Sequence, residues 1–202
     1  MAEITASAVA KLREMTNAGM MDCKRALVEP GGDLNKAEDI LRKKGIASAS
    51  KKASRSAREG VVASYIHLQG KVGVLVEINC ETDFVAKTES FRDFVKDITL
   101  HIAAAHPLYI GRDQVPRETV ERERDIYRSQ VKGKPENVTE KIVDGKLDKF
   151  FSSFCLLDQA FIKNPDQTVN ELVASKIAEL GENIVIRRFT RYVVGEEIGS
   201  GT

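Results

Sequence analysis

The sequence predicts an α+β fold, with a helical N-terminal module followed by an α+β domain. In that domain helices pack a small antiparallel sheet of about three strands. Three observations carry this reading. Apolar residues between Ile4 and Leu41 recur at helical spacing, punctuated by Thr16-Asn17-Ala18-Gly19 and by Pro30-Gly31-Gly32. From Val62 to Cys80 the period changes to two, on either side of Gln69-Gly70. A β-branched run, Ile184 to Val194, then closes the chain after several helical segments.

The module comes first. Ile4, Ala8, Val9, Leu12 and Met15 form one stripe, and Met20-Met21 lead into Cys23, Ala26 and Leu27. Asp33 is placed to cap a third helix carrying Leu34, Ala37, Ile40 and Leu41, which is expected to end at Gly45. These three short helices make residues 1–45 a domain with little core. Two roles fit Met20-Met21: packing for that core, or a partly exposed thioether surface for a protein partner. Residues 46–58 shift to Ala, Ser, Lys and Arg without an acid and read as a solvated linker, helical in part. Lys51, Lys52, Arg55 and Arg58 lack the aromatic platforms of a nucleic-acid patch.

Residues 59–202 form the second domain. Val62, Ile66 and Leu68 alternate toward Gln69-Gly70, and Val72, Val74, Val76, Ile78 and Cys80 return as a strand with one buried face. Phe91, Phe94, Val95, Ile98, Ile102 and Ala105 share a helical face after it. Thr88 or Ser90 is the expected cap, and Ser90 with Asp93 fits a capping box. Asp83-Phe84 thus falls at a strand-to-helix turn. By pattern alone this Phe reads as a core residue beside a turn carboxylate, since most Phe residues are inside.

Pro107 to Ile110 breaks that helix. Pro116 starts a charged one with Val120 and Tyr127 on its apolar side. Pro135 starts another, with Val138, Ile142, Leu147, Phe150, Phe151 and Phe154 as its expected inner face. Thr168-Val169-Asn170-Glu171 is a capping box for a helix ended by Gly181. The Arg-rich run from Ile184 is expected to join the hairpin, and the Gly199–Thr202 tail to be disordered.

Composition narrows the function. The 202 residues are 42% hydrophobic and 30% charged, as in soluble globular proteins. A net charge of +1 argues against a nucleic-acid binder working by bulk charge, and no apolar run is long enough to span a bilayer. Neither nucleic acid nor membrane is therefore an expected partner. Met1 to Thr5 lacks the basic start and apolar core of a signal peptide, and the expected location is cytoplasmic. Cys23, Cys80 and Cys155 are far apart and outside any CxxC pattern, so they read as reduced thiols; an intermolecular disulfide stays open.

No GxxxxGK[ST], GxGxxG or GxSxG is present. Asp22-Cys23 has no nearby His to activate the thiol. His101 and His106 do not share a helical face, and His67 falls in a strand, so each reads as an ordinary or satisfied histidine. The expectation is a protein that is not an enzyme, with no cofactor and no metal.

Three stretches resemble the signatures of one family. Thr16-Asn17-Ala18-Gly19-Met20-Met21-Asp22-Cys23-Lys24-Arg25-Ala26-Leu27 is similar to its N-terminal motif, TGAGMMDCKKAL. Glu77 to Ala86, reading EINCETDFVA, resembles its second. Gly181-Glu182-Asn183-Ile184 with Arg187-Arg188-Phe189 resembles its C-terminal strand. The family is elongation factor Ts, and the resemblance covers essentially the whole chain. Asn17 departs from the usual Gly, at a turn that tolerates either. Longer members carry two core subdomains; this chain has residues for one and resembles the short class, whose members dimerise.

The resemblance implies a ubiquitin-associated-like N-terminal domain and an α+β dimerisation domain. It implies a guanine-nucleotide exchange factor that binds elongation factor Tu in its GDP and nucleotide-free forms. Arg13, Met20 and Met21 would contact the GTPase domain. Thr82, Asp83, Phe84 and Val85 would form the turn that enters it near the Mg²⁺ site, with Asp83-Phe84 as the wedge. The rival from another class is a ubiquitin-associated-like adaptor that tethers partners without altering nucleotide affinity.

Overall fold

The computed structural model describes residues 4–16, 18–131 and 133–197. Asn17 of the first motif and the Gly199–Thr202 tail lie outside the described residues. The chain divides into two compact units. One comprises Met1–Ala63, Val76–Asp97 and Asn170–Arg187, the other Ser64–Leu75, Ile98–Val169 and Arg188–Thr202.

The first unit begins with α1 (Ala6–Thr16), α2 (Met20–Val28) and α3 (Leu34–Lys52). Thr5 opens α1 by accepting the Ala8 N–H on its hydroxyl oxygen at 3.2 Å. After α2 the chain reverses through Gly31 and Gly32, at φ +64° and +96°, where any side chain would be strained. Asp33 then caps α3, accepting the N–H groups of Asn35 and Lys36 at 3.0 and 3.1 Å. Val9, Leu12, Cys23, Ala26, Leu27 and Ala37 form the buried centre of these helices.

The expected stop at Gly45 is wrong, and the third helix is not short. α3 runs on to Lys52, through much of the stretch read as a solvated linker. Gly45 lies inside it, facing α8 (Val169–Leu180), where a β-carbon would make an ordinary contact 3.6 Å from the Ala174 carbonyl oxygen. Ala-rich sequence favours continuation, and Lys51 and Lys52 suit the negative end of the helix dipole. Lys52 is engaged as well, its Nζ donating to the Ile177 carbonyl at 3.2 Å.

Strands β1 (Glu59–His67), β2 (Val72–Cys80) and β5 (Val185–Val193) form the expected three-stranded antiparallel sheet in the order β1-β2-β5. Val72, Val74, Val76, Ile78 and Cys80 are all buried, as their alternation predicts. Along β1 and into the turn after it, the residues that carry the alternation lie on the open side. Val62, Ile66 and Leu68 are exposed, and Val61, Ala63 and Tyr65 are half-buried. Alternation defines two faces; register decides which one is covered.

A single helical turn, α4 (Asp83–Ala86), leads from β2 into α5 (Glu89–Ala105). Thr88 caps α5, accepting the Phe91 N–H at 3.3 Å. Ser90 does not form the expected capping box: it sits within the first turn and donates to Glu179 Oε1 at 2.5 Å.

In the second unit, α6 (Arg117–Gln130) and α7 (Glu136–Phe154) each follow directly on a Pro. Arg124 and Arg128 of α6 both pair with Glu140 of α7, at 3.3 and 2.7 Å. The buried residues of α7 are Val143 and Leu147, whereas Val138 and Phe154, expected inside, are exposed. A short hairpin, β3 (Ala160–Phe161) with β4 (Asn164–Thr168), was not anticipated, because two residues are too few to show a period. His101 is fully buried. Its Nδ1 accepts the Ile162 N–H at 3.3 Å and its Nε2 meets Gln159 Oε1 at 2.9 Å, the satisfied role expected of it.

Candidate functional site

The turn after β2 is built to present one side chain. Thr82 is extended, at φ −129° and ψ 152°, and its hydroxyl accepts the Val85 N–H at 3.3 Å, starting α4. Val85 and Ala86 are buried beneath the turn. With only four residues in the turn, inward-facing Val85 and Ala86 leave Asp83 and Phe84 facing out. Phe84 is 81% exposed, so its reading as a core residue is overturned. Asp83 is exposed too, and Lys87 one turn on donates to its Oδ2 at 2.6 Å. That hydrogen bond and the Lys87 charge hold the Asp83 carboxyl below the ordinary carboxylate range.

Residues distant in sequence brace this turn. Glu182 Oε2 accepts the N–H groups of both Glu81 and Thr82 at 3.0 Å, and the Thr82 hydroxyl donates to Glu182 Oε1 at 2.6 Å. The return bond comes from the Asn183 N–H, which donates to Glu81 Oε1 at 2.6 Å. Asn183 is buried, with its Nδ2 donating to the Arg55 carbonyl at 2.8 Å, and Arg55 pairs with Glu81 at 3.5 Å. The Cys80 thiol donates to the Thr82 carbonyl at 3.1 Å. Burial, with the Glu182 charge adding to it, pushes that thiol up to about 11, so it stays protonated at neutral pH.

The other predicted residues meet elsewhere. Arg13, Met20 and Met21 line a cleft of about 1300 Å³ shared with Glu89, Asp93 and Asp97 of α5 and with Lys176 and Glu179 of α8. Met20 and Met21 are 59% and 60% exposed, which excludes them from the module's packing. Thr82 to Val85 do not line this cleft. Sequence reasoning missed Glu81, Arg55, Glu182 and Asn183 as parts of the site. The available signal was the Gly181-Glu182-Asn183 motif, with nothing in it to say what the carboxylate touches.

Among the described residues no group of three or more His, Cys, Asp or Glu is placed to hold a metal. No described helix is long and apolar enough to cross a membrane.

The sequence model of the family described as Elongation factor TS matches residues 46–196. The chain belongs to the elongation factor Ts family. An Elongation factor Ts of Carboxydothermus hydrogenoformans is 60% identical over 195 residues, covering 96% of this chain and 90% of that protein. Those of Thermodesulfovibrio yellowstonii and Caldanaerobacter subterraneus subsp. tengcongensis are each 58% identical, over 194 and 197 residues. Each alignment covers 96% of this chain, and 97% and 98% of the respective relative. Membership places the chain among the translation elongation factors of protein biosynthesis.

Proposed function

We propose that this chain is a guanine-nucleotide exchange factor for elongation factor Tu and that its Thr82–Val85 turn is the wedge. The observation that carries the reading is Phe84, 81% exposed at the tip of a turn whose entry backbone is held by the Glu182 carboxylate and the Cys80 thiol. Covering such a ring in a pocket of the GTPase domain returns roughly 1.5–3 kcal/mol, enough to anchor an insertion. The ionised Asp83 enters beside it. Displacing the groups that hold Mg²⁺ and the phosphate-binding loop removes the electrostatic clamp on GDP. Arg13, Met20 and Met21 hold the same GTPase domain at their cleft.

The protein makes and breaks no covalent bond, binds neither nucleotide nor metal itself, and works in the cytoplasm. The ubiquitin-associated-like docking module lies within residues 1–45, the end of α3 and the residues to 58 join it on, and 59–202 form the core and dimerisation domain. Linkage sets the sign: by whatever factor this chain weakens GDP, GDP weakens this chain. Stopped-flow release of labelled GDP from elongation factor Tu tests the reading. A rate unchanged at saturating protein, with binding intact, would leave the adaptor in its place.

The homodimer forms through the outer face of the sheet. Ile66 and Leu75 are each at least half exposed there. Gly73 leaves room for Ile66, whose Cδ1 lies 3.4 Å from where a β-carbon would be. Leu75 alternates with the buried Val74 and Val76, so it lies on the opposite side of β2. An apolar sheet face of this kind is a candidate for pairing with its own copy. Light scattering is expected to give twice the chain mass at micromolar concentration, and the monomer mass for Leu75→Asp.

A further inference from the structure

We infer that Glu182 is a positioning residue for exchange, acting through the direction and rigidity of Phe84; this rests on the wedge reading above. An isolated helical turn of four residues has no stability of its own, because nucleation fixes several dihedrals for a single hydrogen bond. Something outside the turn must hold it. Val85 and Ala86 anchor its underside, but its entry, Glu81-Thr82, is oriented chiefly by one carboxylate. Glu182 takes both consecutive backbone N–H groups on one oxygen and the Thr82 hydroxyl on the other. The same hydroxyl accepts the Val85 N–H. Glu182 therefore sets the residue that starts α4, and α4 sets Phe84.

The brace is reciprocal. The Glu81 carboxylate takes the Asn183 N–H at 2.6 Å, so each of the two segments holds the other's backbone. Charge-assisted bonds to backbone N–H groups are among the stronger hydrogen bonds; those from the Glu81 and Asn183 N–H groups are half-buried, while the two from Thr82 are exposed. Phe84 has no comparable support of its own, being the most exposed of the large apolar side chains described. A wedge transmits binding energy only if it does not yield, so loosening its base is expected to lower the maximal acceleration without weakening docking at the methionine cleft.

The test is GDP release from elongation factor Tu with the full chain, titrated to saturation, with melting temperatures recorded in parallel. Glu182→Ala is expected to lose roughly ten- to hundredfold of the maximal acceleration, as small misplacements of an inserted group do. Its half-saturating concentration is expected to change by less than about threefold, since docking is uniform binding. Glu182→Gln, whose amide oxygen still accepts the two N–H groups, is expected to restore most of the rate. In a Phe84→Leu background Glu182→Ala is expected to add little, because the two act as one unit.

Full acceleration by Glu182→Ala beside an active wild type overturns the inference alone. Equal fold losses in both backgrounds also overturn it, since a merely structural role would act independently of Phe84. Should Glu182→Ala melt below the assay temperature, Glu182→Asp takes its place, with an arm too short to span both N–H groups. An undiminished rate there is again contrary. No acceleration by wild type overturns the exchange reading itself, and this one with it.

Discussion

Gly60 lies so close to Ile78 that a β-carbon on it would fall 2.2 Å from the Ile78 carbonyl oxygen, and its φ is +136°. One residue along on each strand, the Asn79 side-chain amide donates to the Glu59 carbonyl at 3.0 Å. The base of the Thr82–Val85 turn thus depends on a backbone approach that only glycine permits. Gly60→Ala is expected to cost about 2–4 kcal/mol, combining strain and overpacking. Urea unfolding measures it, and a midpoint equal to wild type contradicts the close approach.

Phe84 tests the separation of stability from function. Its ring is in water, so Phe84→Ala is expected to leave unfolding within about 0.5 kcal/mol of wild type. The same variant is expected to lose acceleration of GDP release. A large drop in stability would place the ring in a core, against its exposure.

Gly45 gives a prediction of opposite sign. Within α3 a β-carbon there makes ordinary contact with Ala174, 3.6 Å away. Gly45→Ala is therefore expected to stabilise by about 0.5–1 kcal/mol, through helix propensity. Gly45→Leu has no room beside Ala174 and is expected to destabilise. Thermal melts of the two should move in opposite directions.

His101 makes the protein sensitive to mild acid. Burial, with the Gln159 hydrogen bond opposing it, lowers its pKa below the ordinary value near 6.5. With Nδ1 accepting from the Ile162 N–H, the neutral ring carries its proton on Nε2, toward Gln159. A second proton on Nδ1 would face a donor. The folded pKa is depressed, so the unfolded chain takes up the proton first as pH falls. This contribution is complete above about pH 6.5 and is lost as pH falls toward the folded pKa. Melting temperature is expected to drop between pH 7.5 and 5.5, with a smaller drop in His101→Gln. Equal drops would remove His101 from the account.

Burial also predicts slow thiol chemistry. Cys80 and Cys155 are each pushed up to about 11, burial being the larger cause. Iodoacetamide at neutral pH is expected to leave both unmodified in the native protein and to label them in urea, read by mass spectrometry. Rapid native labelling of Cys80 would mean that the Thr82 turn opens readily.

How much of this was legible in the sequence differs between elements. The buried face of β2, the cap at Asp33 and the stop at Gly181 were readable, because each follows from a period or from one residue's local chemistry. So was the position of Asp83-Phe84 between a strand and a capped helix. The covered face of β1 was not: Val62 and Ile66 show the alternation, but which side is covered is settled by what packs on the sheet, and both are exposed.

Sequence alone determined most of the element types, the family resemblance, and the position of Asp83-Phe84 at a strand-to-helix turn. Tertiary structure decided that Phe84 stays in water, that Met20 and Met21 line a cleft, and that α3 continues past Gly45 against Ala174. It also placed Glu182 under Thr82, a hundred residues away. The physical reason is range. Periodicity and capping are set within about a turn of helix or a strand. Exposure, and the partner of a carboxylate, depend on which distant segments arrive beside it.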